Sequence, residues 1–282
     1  MFNMGRSEPA IKGWKALDLS RIIIDPSGKI HFVSLTLTKS DTPIFLLNVL
    51  RKEGINIIGL VMESITVKGE VEVSMFLETP VKMERKKLEN IIRKGVEAEK
   101  IEGVKNIRVF DHLQGFDADV YHFPLKIGNL RAMIFPETVL EGLVKRLRET
   151  FGIPVVQTIL WNQGKEVGKG AIEIYKKEFN IVKAREALEM LKVRALLLGW
   201  ASMEILTFNE VKKRAVIRVF DNWECAMFKG SNEPQSHFIR GVLAGFFNAL
   251  FGEGFYATEV KCIAKGDSYC EFTLEKRDIA IC

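Results

Sequence analysis

The sequence predicts an α+β protein of two domains, a βαββαβ unit followed by a helix-rich α/β unit. Three observations predict it. The chain has 282 residues, more than one core of ordinary size requires. Between residues 29 and 110, strand-like and helix-like patterns follow one another in the order β-α-β-β-α-β. Beyond Pro136, three helical patterns run in succession before any strand pattern returns.

The elements of the first domain follow from residue type and spacing. Lys29 to Thr38 is rich in β-branched and aromatic residues, as a strand requires. Ser40-Asp41-Thr42-Pro43 places capping side chains before a proline that suits a first helical turn. Leu46, Leu47 and Leu50 then keep helical spacing, and Gly54 stops the helix. A second strand is expected from Ile55 to Val67. A turn at Lys68-Gly69 and a third strand through Val71, Val73, Met75 and Leu77 follow it. Leu88, Ile91, Ile92 and Val96 give the second helix, and Val104 to Phe110 the fourth strand. Residues 1–28 form a leading segment, and 111–125, with Gly115, Asp117, Asp119 and Pro124, read as a linker. His112 and His122 flank that linker with no cysteine or carboxylate cluster evident beside them, so they read as packing residues.

In the second domain, residues 126–282, Leu140, Leu143, Val144 and Leu147 share a helix face that ends at Gly152. Gly164 and Gly168 interrupt the next helix. They lack the Gly-Lys-Ser/Thr ending of a phosphate loop, and a close helix crossing explains them better. Ala184, Ala187, Leu188 and Leu191 form a third helix. Strands are expected at 201–208, 211–220 and, shorter, 223–228. A helix striped by Ile239, Val242, Leu243, Phe246 and Leu250 follows, and then a hairpin around Lys265-Gly266-Asp267. Gly241 and Gly245 give that helix a smooth side where another backbone fits.

Composition narrows the function classes. Hydrophobic residues make up 47% and charged residues 27%, the profile of a folded soluble chain. The net charge is only +5 and is dispersed. Lys82, Arg85, Lys86, Lys87, Arg93 and Lys94 share their helix with glutamates, which describes a solvated face rather than a nucleic-acid surface. The apolar stretch 242–252 is too short for a membrane span, and the first residues lack a secretion signal, so a cytoplasmic protein is expected. All four cysteines lie beyond residue 220, which excludes a disulfide framework for most of the chain. No hydrolytic triad, P-loop or dinucleotide fingerprint is present, and no catalytic constellation is assigned.

Two sets of residues resemble known families. Asp41-Thr42-Pro43 followed by Gly54-Ile55-Asn56-Ile57 resembles the signposts of ACT domains, regulatory modules that often bind amino acids. The resemblance implies an ACT-like βαββαβ sandwich over 29–110 with an effector loop at Asp41 and Pro43. Ile44 stands where the family has a glycine, and its branched side chain obstructs ligand approach to the backbone. The more specific set is Glu259-Val260-Lys261-Cys262, Gly266 and Cys270-Glu271-Phe272, with Phe238-Ile239-Arg240-Gly241 before them. It resembles the 4-vinyl-reductase-type domain. That family is associated with tetrapyrrole biosynthesis, and it serves as the small-molecule sensor of aromatic-responsive activators. It shares its overall fold with vesicle-tethering subunits and haem-based nitric oxide sensors.

The 4-vinyl-reductase resemblance implies a ligand-enclosing α/β domain that commonly dimerises. The expected function is a non-enzymatic sensor of a small hydrophobic or aromatic ligand, acting as a homodimer or on a partner. A factor in tetrapyrrole metabolism and a ligand-free scaffold are the alternatives. Trp161, Trp200, Trp223, Phe246 and Phe247 are the candidate pocket residues. In the sensor branch a glutamate and three cysteines bind zinc. Glu259, Cys262 and Cys270 match three of those positions, and Ser236 stands at the fourth. His237, the next residue, is then the expected nitrogen ligand.

Overall fold

The computed structural model describes residues 21–38, 42–62, 69–113, 115–127, 130–252 and 254–276. The chain divides into two compact units, one built from Ala16–Met133 and one from Ile134–Cys282. Among the described residues no helix is long and apolar enough to cross a membrane.

The first unit contains β1 (Ile22–Ile24), β2 (Ile30–Leu37), α1 (Thr42–Lys52), β3 (Asn56–Met62), β4 (Val71–Glu78), α2 (Arg85–Ala98), β5 (Val104–Val109) and β6 (Phe116–Ala118). A two-residue ribbon, β7 (Lys126–Ile127) with β8 (Leu130–Arg131), ends it. The main sheet is antiparallel in the order β3-β4-β2-β5, the split βαβ topology that the element order predicts. Period-two alternation decides its faces. Val33, Leu35 and Leu37 of β2 stand opposite Met75, Val73 and Val71 of β4 and pack with Leu46, Leu50, Leu88 and Ile92 of the helices. Phe32 and Phe76 point the other way and are buried too, with ring centroids 5.2 Å apart.

What buries that second face corrects the expected linker. Residues 116–118 are a strand, β6, paired with β1 in the register Ile22↔Ala118, Ile23↔Asp117 and Ile24↔Phe116. His122 follows and meets the Phe32 ring edge-on at 6.0 Å. The leading segment and the supposed linker thus form one ribbon. Two three-residue strands separated by more than 90 positions leave no periodicity to read.

The second unit contains α3 (Glu137–Phe151), α4 (Ile153–Phe179), α5 (Ala184–Leu197), β9 (Ser202–Asn209), β10 (Arg214–Phe220), α6 (Trp223–Ala226), α7 (His237–Phe251), β11 (Phe255–Lys261) and β12 (Cys270–Lys276). Its antiparallel sheet runs β11-β12-β10-β9. Helix α7 supplies Val242, Leu243, Phe246 and Phe247 to a core shared with Ile217, Val219, Phe272 and Leu274 of the sheet. The four glycines singled out in the sequence meet at the crossing of α4 and α7. A Cβ on Gly168 would stand 2.0 Å from the Val242 carbonyl oxygen, and one on Gly245 would stand 1.9 Å from that of Lys165. No side chain fits between backbones this close.

Residues 223–228, expected as a strand, begin instead with the short helix α6. Its cause is local. Asn222 caps it, the side-chain oxygen accepting from Glu224 N at 3.2 Å, so the backbone turns where apolar content alone suggested extension. This turn decides the site.

Candidate functional site

Four side chains from three places converge beneath the start of α7. Cys225 comes from α6, Glu259 from β11, Cys262 from the end of β11 and Cys270 from the first residue of β12. One ligand atom from each lies within 4.8 Å of all the others. Cys225 Sγ is 3.4 Å from Cys262 Sγ and 3.6 Å from Cys270 Sγ. The hairpin loop sets the last two cysteines. Gly266 takes φ 99° at the turn, Asp267 Oδ2 accepts from Cys262 N at 2.8 Å, and Ile263 N points at Cys270 Sγ at 3.4 Å.

A shell of polar groups surrounds this set. Ser236 Oγ donates to Glu259 Oε1 at 2.7 Å and lies 2.8 Å from Cys225 Sγ. Asn222 Nδ2 donates to Ser236 Oγ at 2.8 Å and to Cys225 Sγ at 3.4 Å. Gln235 N approaches Cys262 Sγ at 3.5 Å. Behind the cluster, fully buried Glu224 accepts from His237 N and Phe238 N, both at 2.8 Å, and so satisfies the first turn of α7. Desolvation pushes the Glu224 carboxyl up to about 8, against the pull of those two N–H groups.

The donor set fits zinc. Three thiols and a carboxylate are ligands zinc takes in closed tetrahedral sites, and a Zn–S bond of about 2.3 Å puts tetrahedral sulfurs about 3.8 Å apart. The observed sulfur spacings lie just inside that value. Charge agrees with the fit. Hydrogen bonds from Cys225 and Cys270 hold the Cys262 thiol far below the ordinary range, whereas bonding to Cys262 pushes Cys225 up. Burial raises the Glu259 carboxyl to about 8 despite its bond from Ser236, and the Cys262 charge adds to the rise. A divalent cation would relieve this crowding of negative charge.

His237 does not join the cluster. Its Nδ1 accepts from Arg240 Nη2 at 3.2 Å, which leaves the proton on Nε2, a buried atom without a partner. Burial, with the charges of Arg240 and Arg148, lowers this imidazole to about 4. Cys225 takes the place expected for His237. The sequence signal for Cys225 was its residue type alone, because the family spacing points to Ser236.

The expected pocket residues separate into two groups. Trp161 lines a cleft of about 570 Å³ with Pro154, Gln157, His237, Arg240 and Tyr256, and Glu259 closes one wall. The Arg240 guanidinium stands 5.3 Å over the Trp161 ring. Trp200 and Trp223 instead pack on Phe238, at 5.3 and 6.0 Å between ring centroids. Phe246 and Phe247 are fully buried in the core and do not line the cleft. In the first unit, Pro43 is buried on α1, and Thr42 Oγ1 donates to the Glu102 carbonyl at 3.2 Å. Asp41, the other expected effector residue, lies outside the described residues.

Comparison with known proteins bears directly on this unit. Residues 215–276 match the family model of the 4-vinyl-reductase domain. That segment holds β10 to β12 and all four cluster residues. Two relatives come from Methanocaldococcus jannaschii. MJ0150 is 28% identical over 124 residues, 44% of this chain and 66% of its own length. MJ1460 is 25% identical over 154 residues, 51% of this chain and 94% of its own length. Among solved structures, the phenol-responsive sensory domain of the transcription activator PoxR is similar at 21% identity and a TM-score of 0.49. That match covers 54% of this chain and 79% of the other. A vinyl-4-reductase family protein of Methanocaldococcus jannaschii matches at 22% identity and a TM-score of 0.35, over 53% and 85%.

Proposed function

We propose that the unit carrying the 4-vinyl-reductase-type domain is a non-enzymatic small-molecule sensor. Zinc holds Cys225, Glu259, Cys262 and Cys270 together, and a small hydrophobic or aromatic ligand occupies the cleft beside them. One observation carries this reading: Glu259 belongs to both the thiol cluster and the cleft wall. With four protein donors the ion has no open position, so it supplies structure and charge balance rather than reaction chemistry. The chain's own residues do the rest. Trp161 offers an aromatic face, Arg240 a cation above it, and Tyr256 a rim. The volume suits a ligand of one or two rings.

A ligand against Trp161 and Arg240 presses on the first turn of α7, which Glu224 ties to α6. The cluster in turn ties α6 to the terminal hairpin. Different affinity for two positions of that turn would drive the signal. Exposed Phe151, Ile153 and Val155 at the α3–α4 junction supply an apolar surface for a second copy or a partner. Tryptophan fluorescence of the full chain titrated with phenol and with benzoate tests the reading. Saturable quenching by either probe, lost in Trp161→Phe and weakened at least tenfold in Arg240→Ala, is the expected result. No saturable change with either probe, together with an unaltered melting temperature, would move the unit to a scaffold role.

A further inference from the structure

The first unit gathers a second set of metal-ligating side chains, one that neither its topology nor the family match accounts for. Asp25 lies in the turn after β1, His112 follows β5, and Asp117 is the middle residue of β6. One ligand atom from each lies within 4.8 Å of the other two. Asp25 and Asp117 are 4% and 1% exposed, an expensive placement for two carboxylates. His112 Nδ1 bonds Asp117 Oδ2 and stands 3.9 Å from Asp25 Oδ2. The turn holds Asp25 in its ionised form, since its carboxylate accepts from Ser27 N at 3.0 Å, Ser27 Oγ at 2.5 Å and Ile30 N at 2.7 Å.

A second, independent observation is His31. This residue of β2 is 1% exposed, and both of its ring nitrogens are buried without a hydrogen-bond partner. Burial lowers its affinity for a proton, and the charges that act on it are those of His112 and Asp25, which sets the free imidazole beside the group. A buried imidazole with neither nitrogen used is a cost of up to about 3 kcal/mol per unsatisfied group. Two buried carboxylates with one shared imidazole also leave negative charge uncompensated.

From this geometry we propose that Asp25, His112 and Asp117 form a binding site for a divalent first-row transition-metal ion, with His31 as the adjacent nitrogen donor. Two carboxylates and imidazole nitrogen favour manganese, iron, cobalt, nickel or zinc over the all-oxygen preference of calcium and magnesium. The ion balances the two carboxylates and fastens the β1–β6 ribbon to the end of β5.

Cobalt(II) tests this on the full metal-free chain, because it reports each site separately. At the thiol cluster it produces an intense near-ultraviolet sulfur-to-metal band, and at a carboxylate–imidazole site only weak visible bands. The expected titration has two equivalents, the sulfur band saturating with one and weak visible absorption tracking the other. Asp117→Asn and His112→Gln each remove the second equivalent, or weaken it at least tenfold, with the sulfur band intact. Cys262→Ser does the reverse, so failure of the sensor reading and failure of this site are told apart. A wild-type chain that shows no cobalt equivalent outside the sulfur band overturns the proposal, with no variant required. So does a second equivalent that both first-unit substitutions leave unchanged. In either case Asp25, His112 and Asp117 are a hydrogen-bonded anchor for the ribbon.

Discussion

Cys225 Sγ and Ser236 Oγ lie 2.8 Å apart, and each reaches the same thiol and carboxylate neighbours. The chain has therefore exchanged the origin of one ligand while keeping its place in space. A cysteine at 236 would reach the cluster from the residue before α7, whereas Cys225 reaches it from α6. This predicts a rescue. Cys225→Ser should weaken zinc by more than the roughly 10–100-fold typical of an outer-shell change, and Cys225→Ser with Ser236→Cys should restore most of it. Competition with a chromophoric chelator measures both. Failure of the double variant to recover would mean that Ser236 does not stand at a ligand position.

The crossing of α4 and α7 gives a contrast between glycines. Gly168→Ala and Gly245→Ala force a Cβ to about 2 Å from a carbonyl oxygen of the facing helix, so the backbones must part. Each should cost about 3 kcal/mol or more in chemical denaturation. Gly170→Ala, on the same helix with nothing within 4 Å of its Cβ, should instead stabilise by about 0.5–1 kcal/mol. Equal effects at Gly168 and Gly170 would refute the close contact.

Glu224 joins α6 to α7 through two backbone N–H groups. Its replacement by alanine leaves both donors buried, at a cost of about 1–3 kcal/mol. Glu224→Gln should fall between alanine and the parent, because the amide keeps one acceptor oxygen. Urea unfolding in the presence of a chelator isolates this effect from the metal.

His237 supplies a pH signature. Burial comes first and the cations Arg240 and Arg148 second in holding its imidazole at about 4, with Cys262 opposing and Glu224 bonded to its backbone N–H. Between about pH 6.5 and 4 the unfolded chain binds a proton that the folded chain refuses, so stability from this residue falls as pH drops through that window. His237→Gln should remove that component, on the order of 2 kcal/mol across the window after discounting for partial solvation. Superimposable pH–stability curves for parent and variant would show that the imidazole is not isolated as described.

Periodicity made the main sheet of the first unit and the helices of the second legible, because Val33, Leu35 and Leu37, or Val242, Phe246 and Phe247, repeat on one face. The glycine crossing was legible as well, since Gly164 and Gly168 match Gly241 and Gly245 in spacing. Within the cluster, Glu259, Cys262 and Cys270 were readable because a single hairpin carries them. Cys225 was not, since its approach depends on a four-residue helix capped by Asn222, and so short a helix has no period. For the same reason His112 looked isolated in the sequence. Asp25, its carboxylate neighbour across the ribbon, lies 87 positions away and arrives only when β1 pairs with β6.

Zinc K-edge X-ray absorption of the intact chain loaded with one equivalent of zinc tests the central claim most directly. The coordination described here predicts three sulfur scatterers at about 2.3 Å and one oxygen at about 2.0–2.2 Å. A shell of two sulfurs with imidazole scattering would put His237 in the place of Cys225. A shell of nitrogen and oxygen alone would contradict the cluster as a zinc site.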